Sequence, residues 1–330
     1  MGLGFILGNA SKDHQQKDFE QLAKWRKENP NRMVYYIVPN HIKFESEVNA
    51  LKYMRQIFSQ DEKIFAAHDL QVFSFTRLAW YFMKDMPAYQ IPRISSAGSN
   101  MIIYRILRDL KDELQVFSGE ESQPGFITQL AKQMTELQNG CIMPEDVMQM
   151  AEKLPKESLG SKALLRSKLH DLALVYTRFI EMTSGRYLDN TEILTKLTQY
   201  LEKIDLQNSC FLISGFNQMT AREMLLVEKL IENAESVVVD LVLNHPYVDE
   251  PPKSGDLFYR AGNLYYQLYA HAHKSKSPVM LDTYAKKTRV SQDLCNLEDY
   301  WIDSVAGFSA KEKATFENDS VKIYGAKTRT

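Results

Sequence analysis

Cysteine is scarce in this chain of 330 residues. Its three cysteines, Cys141, Cys210 and Cys295, lie far apart and form no C-x-x-C pair. That spacing argues against a zinc ribbon, an iron–sulfur cluster built within this chain and a disulfide framework. Scattered cysteines of this kind are typical of a reducing compartment, so we expect a cytoplasmic protein.

Long apolar runs are also missing. No run approaches the roughly 20 residues needed to span a bilayer, and the apolar residues 1–7 are too few, and lack the basic lead, for a signal peptide. We therefore expect no membrane association. With 44% apolar and 25% charged residues, the composition is that of a folded soluble chain.

A surplus of charge of one sign is absent as well. Forty Lys and Arg residues face 42 Asp and Glu residues, which gives a formal net charge of −2. This balance excludes a generic electrostatic clamp for nucleic acid. It leaves room for a short local surface that contacts bases by stacking.

What the sequence does contain is an alternation of apolar runs and helical patterns. Residues 5–7, 34–38 and 70–75 read as strands, with helical patterns between them and a helix expected at 44–58. This order predicts βαβ units and a parallel sheet of the doubly wound type.

From residue 92 to residue 206 the pattern is helix after helix, as expected for an α-helical subdomain. Strand patterns then return at 211–213, 236–243, 279–281 and 321–324, with helices at 220–234 and 257–272. We predict an α/β domain formed by residues 1–91 and 207–330, interrupted by an α-helical insertion over residues 92–206.

A phosphate-binding loop would stand directly after the first strand, and the sequence there departs from that pattern. Such a loop needs several glycines, a lysine for the phosphates and a hydroxyl for Mg²⁺. The residues concerned are Gly8, Ser11, Lys12, His14 and Gln15; aligned on Gly8, His14 and Gln15 replace the lysine and the hydroxyl. The alternatives are a degenerate nucleotide loop and a plain strand-to-helix turn.

The strand at 211–213 shows a second departure. It continues into Ser214-Gly215-Phe216, without the aspartate for Mg²⁺ or the glutamate that positions water in a P-loop motor. Two independent losses favour a degenerate motor.

Aromatic and cationic residues follow the other strands. Phe75, Arg77 and Trp80 stand at the end of the strand at 70–75, and His41 and Lys43 follow the strand at 34–38. Single-stranded bases stack on aromatic faces and guanidinium groups. Core packing for the aromatic residues and solvated loops for the cations are the alternatives.

The sequence resembles the N-terminal part of AddB/RexB-type subunits of the Gram-positive ATP-dependent helicase–nuclease. The matching segments are Phe5-Ile6-Leu7-Gly8, Ile37-Val38-Pro39, Gln71-Val72-Phe73-Ser74-Phe75-Thr76-Arg77-Leu78-Ala79-Trp80, Lys168-Leu169-His170-Asp171-Leu172 and Gly215-Phe216-Asn217-Gln218-Met219-Thr220. The resemblance covers essentially the whole chain. Family members are several times longer, so it implies a fragment, in which residues 324–330 open a second motor domain.

The resemblance implies a RecA-like, superfamily-1 helicase-like α/β domain with a large helical insertion, in a subunit that does not drive unwinding. In lacking the P-loop pattern, this chain resembles the RexB branch of the family, and the same lack argues against ATP binding. The family's nuclease centre, which uses Mg²⁺ and lies with a cysteine-held iron–sulfur cluster in the C-terminal region, is absent here. We therefore expect no cofactor and no catalytic or metal-binding residue in this chain.

The resemblance also implies a role at broken DNA ends. Phe75, Arg77, Trp80 and Phe216 match the family's pattern for contacting a single strand and scanning it for the Chi hotspot. His41 and Lys43 replace the Gln-x-Thr of AddB proteins, which leaves the hotspot sequence open. The implied partners are a DNA end and an AddA/RexA-type subunit in a heterodimer; an active ATPase with an unusual loop, or a scaffold for the partner subunit, are the alternatives.

Overall fold

A computed structural model describes residues 2–59, 65–154, 160–305, 320–322 and 324–325. Its strands are β1 (Gly2–Gly8), β2 (Met33–Ile37), β3 (Leu70–Phe73), β4 (Leu206–Ile213), β5 (Ala234–Val242) and β6 (Thr283–Tyr284). They form one six-stranded sheet in the order β3-β2-β4-β5-β1-β6. Every strand pairing in this sheet is parallel, which confirms the predicted parallel α/β fold.

Helices make up most of the remaining described structure. They are α1 (His14–Glu28), α2 (Lys43–Phe58), α3 (Phe75–Met83), α4 (Ser96–Asp109), α5 (Pro124–Asn139), α6 (Pro144–Lys153), α7 (Ser161–Thr183), α8 (Asn190–Leu201), α9 (Ala221–Asn233), α10 (Tyr259–Lys274) and α11 (Gln292–Val305). Among the residues that the structure describes, no helix combines the length and the apolar composition needed to cross a membrane.

The central strands carry continuous apolar runs because both faces of the sheet are covered. All seven residues of β1 are buried, as are four of the five in β2. In the register of β1 with β5, Ile6 lies opposite Asp240, which brings a carboxylate into the buried part of the sheet.

The chain divides into two compact units. The first consists of Met1–Phe75, Leu201–Met219 and Val227–Thr330, and contains the sheet. The second consists of Thr76–Tyr200 and Thr220–Leu226, and has its own apolar core, which includes Ile103, Leu130 and Tyr176. The domain boundaries inferred from the sequence, at 91/92 and 206/207, stay a prediction.

Two strand predictions near the C-terminus were wrong. Val321, Lys322 and Tyr324 lie in no strand, and residue 323 is outside the described residues, as are residues 326–330 of the segment matched to a second motor domain. The predicted strand at 279–281 is a single bridge between Val279 and Leu3, and the edge strand β6 begins at Thr283 instead. An edge position explains the difference, since Leu281 is 93% exposed and gains no burial that would hold it in the sheet.

A buried carboxylate organises one loop of the second unit. Asp171 on α7 is fully buried and accepts hydrogen bonds from the backbone N–H groups of Gln115, Val116 and Phe117 at 3.0 Å or less. Burial alone would raise the pKa of Asp171, but these donors lower it overall. The loop of residues 115–117 therefore depends on an ionised Asp171.

We predict that Asp171→Asn lowers the free energy of unfolding by about 2 kcal/mol at pH 7, since the amide loses the charge and part of the acceptor capacity. A depressed pKa stabilises the folded chain above the unfolded value near 3.8, and this contribution is lost as the pH falls through the folded pKa. Urea unfolding of the two proteins should therefore converge below pH 4. Asp112→Asn, at an exposed position nearby, is the control and should be as stable as the wild type. Asp171→Asn and wild type that are equally stable at pH 7, or that differ as much at pH 3 as at pH 7, would contradict the assignment.

Candidate functional site

The carboxyl ends of β1, β2, β4 and β5 meet at one edge of the sheet, because all four strands are parallel. They border a cleft of about 520 Å³ within the first unit. The residues that line it are Ala10, Lys12, Asp13, His14, Gln15, Asp18, Tyr36, Ile42, Glu45, Ser46, Ser214, Gly215, Phe216, Asn217, Asp240, Val242 and Arg289. Most of the residues of the predicted nucleotide loop therefore lie together around one cleft.

The loop between β1 and α1 uses its backbone donors internally. Four consecutive amide groups, those of residues 11–14, donate to acceptors of the protein itself. The pairs are Ser11 N to Glu298 Oε2 at 3.2 Å, Lys12 N to Asn9 O at 3.0 Å, Asp13 N to Lys287 O at 2.8 Å and His14 N to Lys12 O at 3.1 Å. A phosphate loop works because such amides point at the ligand. Here they are already occupied.

His14 holds the loop from inside. Its Nδ1 lies 2.5 Å from Asp240 Oδ1, and its Nε2 lies 3.2 Å from the carbonyl oxygens of Gly8 and Asn9. Both ring nitrogens face acceptors, so the geometry favours an imidazolium. Burial alone would lower the pKa of His14, but Asp240 and the two carbonyl groups raise it overall. A cation of the protein thus stands at the position where the sequence pattern of a P-loop has its lysine.

Asp240 is shared between His14 and Ser214. The Ser214 hydroxyl donates to Asp240 Oδ2 at 3.0 Å. The carboxylate of Asp240 thus separates the Ser214 hydroxyl from the ring of His14, which differs from the serine–histidine contact of a serine nucleophile. The described residues also contain no group of three His, Cys, Asp or Glu side chains placed to hold a metal ion.

Asp18 on α1 completes the buried cluster. It accepts a hydrogen bond from the Tyr36 hydroxyl at 2.9 Å, while its Oδ1 is buried without a partner. Burial, followed by the charge of Asp240, raises the pKa of Asp18 well above its ordinary value. The protonated form of Asp18 is therefore favoured more than in an exposed aspartate.

The remaining loop residues are held close to these groups. Ser11 is buried, Lys12 pairs with Thr288 in an isolated antiparallel bridge, and Gln15 is exposed. A Cβ atom at Gly8 would lie 3.2 Å from both Ala285 Cβ and His14 Nε2, so this glycine is needed for close packing.

The aromatic and cationic candidates of the first unit form one ring contact. The rings of Phe75 and Phe216 lie 5.2 Å apart, centroid to centroid, with Phe75 buried and Phe216 half-buried on the cleft wall. His41 is exposed, and Lys43 is paired with Glu47 at 3.3 Å.

A glycine brings two turns of this edge together. Gly215 has a φ of +83°, and a Cβ atom there would lie 3.0 Å from Pro39 Cδ. The turn after β4 therefore packs directly against the turn after β2 that leads to His41 and Lys43.

The other two candidates belong to the second unit. Arg77 and Trp80 lie three residues apart on α3, and the guanidinium carbon of Arg77 stands 3.7 Å from the centre of the Trp80 ring. The Lys84 Nζ lies 5.4 Å from the same ring. Arg77 is exposed and Trp80 half-buried, which gives a cationic and aromatic surface on one helix. Their role in binding DNA stays a prediction.

Four residues of this edge were not predicted from the sequence: Asp18, Tyr36, Asp240 and Glu298. Asp240 interrupts the run Val237-Val238-Val239-Asp240-Leu241, and an acid within a buried strand is a signal that would have marked it. Asp18 and Glu298 lie on helices, where acids are common, so no local pattern distinguishes them.

Comparisons with known proteins all find similarity to one family. The family model described as ADDB, N-terminal, matches residues 5–298. The chain is similar to proteins named as the B-type subunit of an ATP-dependent helicase/deoxyribonuclease. It is 43% identical to that of Levilactobacillus brevis over 302 residues, which are 91% of this chain and 25% of the relative. It is 40% identical to that of Latilactobacillus sakei over 329 residues, which are 100% of this chain and 27% of the relative. The chain thus spans about a quarter of the length of these relatives.

The raised pKa of Asp18 gives a testable pH dependence. The folded chain keeps a proton that the unfolded chain releases above pH 3.8, so this group lowers stability as the pH rises from about 4 towards the folded pKa, by at most about 1.4 kcal/mol per pH unit. Asp18→Asn keeps an acceptor for Tyr36 and removes this loss. We expect urea unfolding to show Asp18→Asn gaining stability over the wild type as the pH rises above about 4.

The exposed Asp249→Asn is the matched control and should follow the wild type at every pH. A stability difference between Asp18→Asn and the wild type that does not change with pH would show that folding does not raise the pKa of Asp18.

Proposed function

The chain belongs to the ADDB N-terminal family, and on that premise we propose that it is the catalytically silent, helicase-like first part of the AddB/RexB-type subunit in a heterodimeric helicase–nuclease. In this proposal the complete protein processes DNA ends in double-strand-break repair and recombination. This part holds the emerging single strand and takes part in reading the Chi hotspot, without motor activity of its own.

The observation that carries the proposal is that the loop after β1, at the carboxyl edge of the sheet, is hydrogen-bonded to the protein itself. Amides of residues 11–14 donate to the protein's own acceptors, and His14 bonds to the carbonyls of the loop and to Asp240. A nucleotide phosphate would have to break several of these bonds at once, each of which costs free energy to leave unmade. The edge therefore supports binding and positioning rather than ATP hydrolysis.

Strand contact is supported by aromatic and cationic side chains in each of the two units. Phe216 presents a half-buried ring on the cleft wall, and Arg77 with Trp80 offers a stacked guanidinium and indole on α3. Base stacking on such groups contributes about 1–3 kcal/mol per base and tolerates any sequence, whereas His41 and Lys43 add polar groups that contact phosphates or base edges. In this proposal the stacking residues hold any passing base, and the polar residues recognise the hotspot.

Partners and cofactors follow from the same premise. The proposed partners are a DNA end, single-stranded or duplex, and an AddA/RexA-type subunit that supplies the motor. We propose no catalytic residue, metal or cofactor for residues 1–330. Mg²⁺ for a nuclease and an iron–sulfur cluster would belong to the rest of the complete protein.

Calorimetry with Mg-ATP tests the silent loop. We expect no saturable heat with this chain, because the amides of residues 11–14 are occupied. Saturable binding that is lost in Lys12→Ala would contradict the proposal and favour an active P-loop ATPase.

Alanine at Arg77 and Trp80 tests strand reading. In the complete heterodimer we expect Arg77→Ala/Trp80→Ala to reduce the response to the hotspot at least tenfold, since two stacking groups worth about 1–3 kcal/mol each are lost. ATP-driven unwinding should persist. The measurement is the fraction of single strands whose degradation stops at the hotspot.

Two exposed residues provide the matched control. Arg178 and Trp301 are also solvent-exposed, with 53% of the Arg178 side chain and 56% of Trp301 accessible, and neither belongs to the proposed strand-contacting residues. Arg178→Ala/Trp301→Ala should leave the hotspot response intact. Unchanged response in Arg77→Ala/Trp80→Ala would remove these residues from the proposed surface and favour a scaffold role.

A further inference from the structure

The segment of residues 285–298, here called the strap, is tied along the loop after β1. Both lie in the first unit. The strap begins at Ala285, whose N–H donates to Leu7 O at 2.8 Å. Lys287 O then accepts from Asp13 N at 2.8 Å, and Arg289 N donates to Ser11 O at 2.9 Å. The strap therefore holds the loop through its backbone at several points.

The strap ends in a charged contact. Both oxygens of the Glu298 carboxylate, on α11, face the backbone N–H of Ser11 at 3.3 and 3.2 Å. Ser11 is only 6% exposed, so this amide has little access to water as an alternative acceptor. A hydrogen bond from an amide to a carboxylate is about twice as strong as one between neutral groups.

The strap also holds the residues on either side of Ser11. Arg289 donates from Nε to Ala10 O at 2.9 Å, and the backbone of Lys12 is bridged to that of Thr288. The direction of the Ser11 N–H is thereby fixed by the strap.

We propose that the amide of Ser11 is an oxyanion site whose resident ligand is the carboxylate of Glu298, so that the protein's own anion closes the loop. α11 is locked to the loop through this site. A small external carboxylate occupies the site when the side chain of Glu298 is removed. This inference is independent of DNA binding, because it concerns only the loop and the strap.

Chemical rescue tests the site. Glu298→Ala should lower the melting temperature of the chain by about 2–6 °C, because a charge-assisted bond to a buried amide is lost. Sodium acetate should restore part of that loss, whereas sodium chloride at the same ionic strength should not. The wild type should show the same melting temperature in both salts.

Asp299→Ala is the matched control, since Asp299 is the neighbouring acid on α11 and is exposed. It should respond to acetate and chloride alike. A Glu298→Ala protein that melts like the wild type, or whose lower melting temperature is not raised selectively by acetate, would overturn the proposal.

A second variant covers the case in which Glu298→Ala does not fold. Glu298→Gln keeps an acceptor oxygen and removes the charge, so amide hydrogen exchange at Ser11 should become at least tenfold faster than in the wild type. Exchange as slow as in the wild type would show that the charge of Glu298 plays no part. Failure of the strand-reading experiment would leave both results unchanged.

Discussion

The ion pair between His14 and Asp240 is the contact on which the carboxyl edge of the sheet depends. His14 is the first residue of α1, and Asp240 lies near the end of β5, so the pair joins the start of a helix to a strand that neighbours β1. The second nitrogen of His14, Nε2, lies within hydrogen-bonding distance of the carbonyl oxygens of Gly8 and Asn9. Breaking a buried pair by removing one partner leaves an uncompensated charge, which is why such a contact constrains everything around it.

Closure of the loop follows from that pair. With its carbonyls turned towards His14, the loop cannot present the arrangement of inward amides that defines a phosphate cradle. The amides of residues 11–14 donate to Glu298, Asn9, Lys287 and Lys12. The carboxyl edge of the sheet is thereby filled with the protein's own charged groups, His14, Asp240 and Glu298.

Much of the fold was predictable because burial on both faces of a parallel sheet leaves continuous apolar runs in the sequence. The runs in β1, β2, β4 and β5 mark central strands, and their predicted positions agree with the structure within a few residues. The edge strand β6 and helix α11 were missed. An edge strand of two residues has one neighbour and little burial, so its position depends on contacts with Leu7 and Phe5 rather than on its own pattern.

The sequence by itself determined the class of the fold and the absence of a P-loop pattern, since both are written in local spacing: apolar periodicity, missing glycines and a histidine where a lysine would stand. Only the tertiary structure decided which groups of the protein bond to the loop after β1. Asp18, Asp240 and Glu298 lie far apart along the chain, and they come to one edge because parallel crossovers bring distant strand ends together. A carboxylate opposite a backbone amide leaves no trace in either local sequence, so Glu298 could be recognised only from the fold.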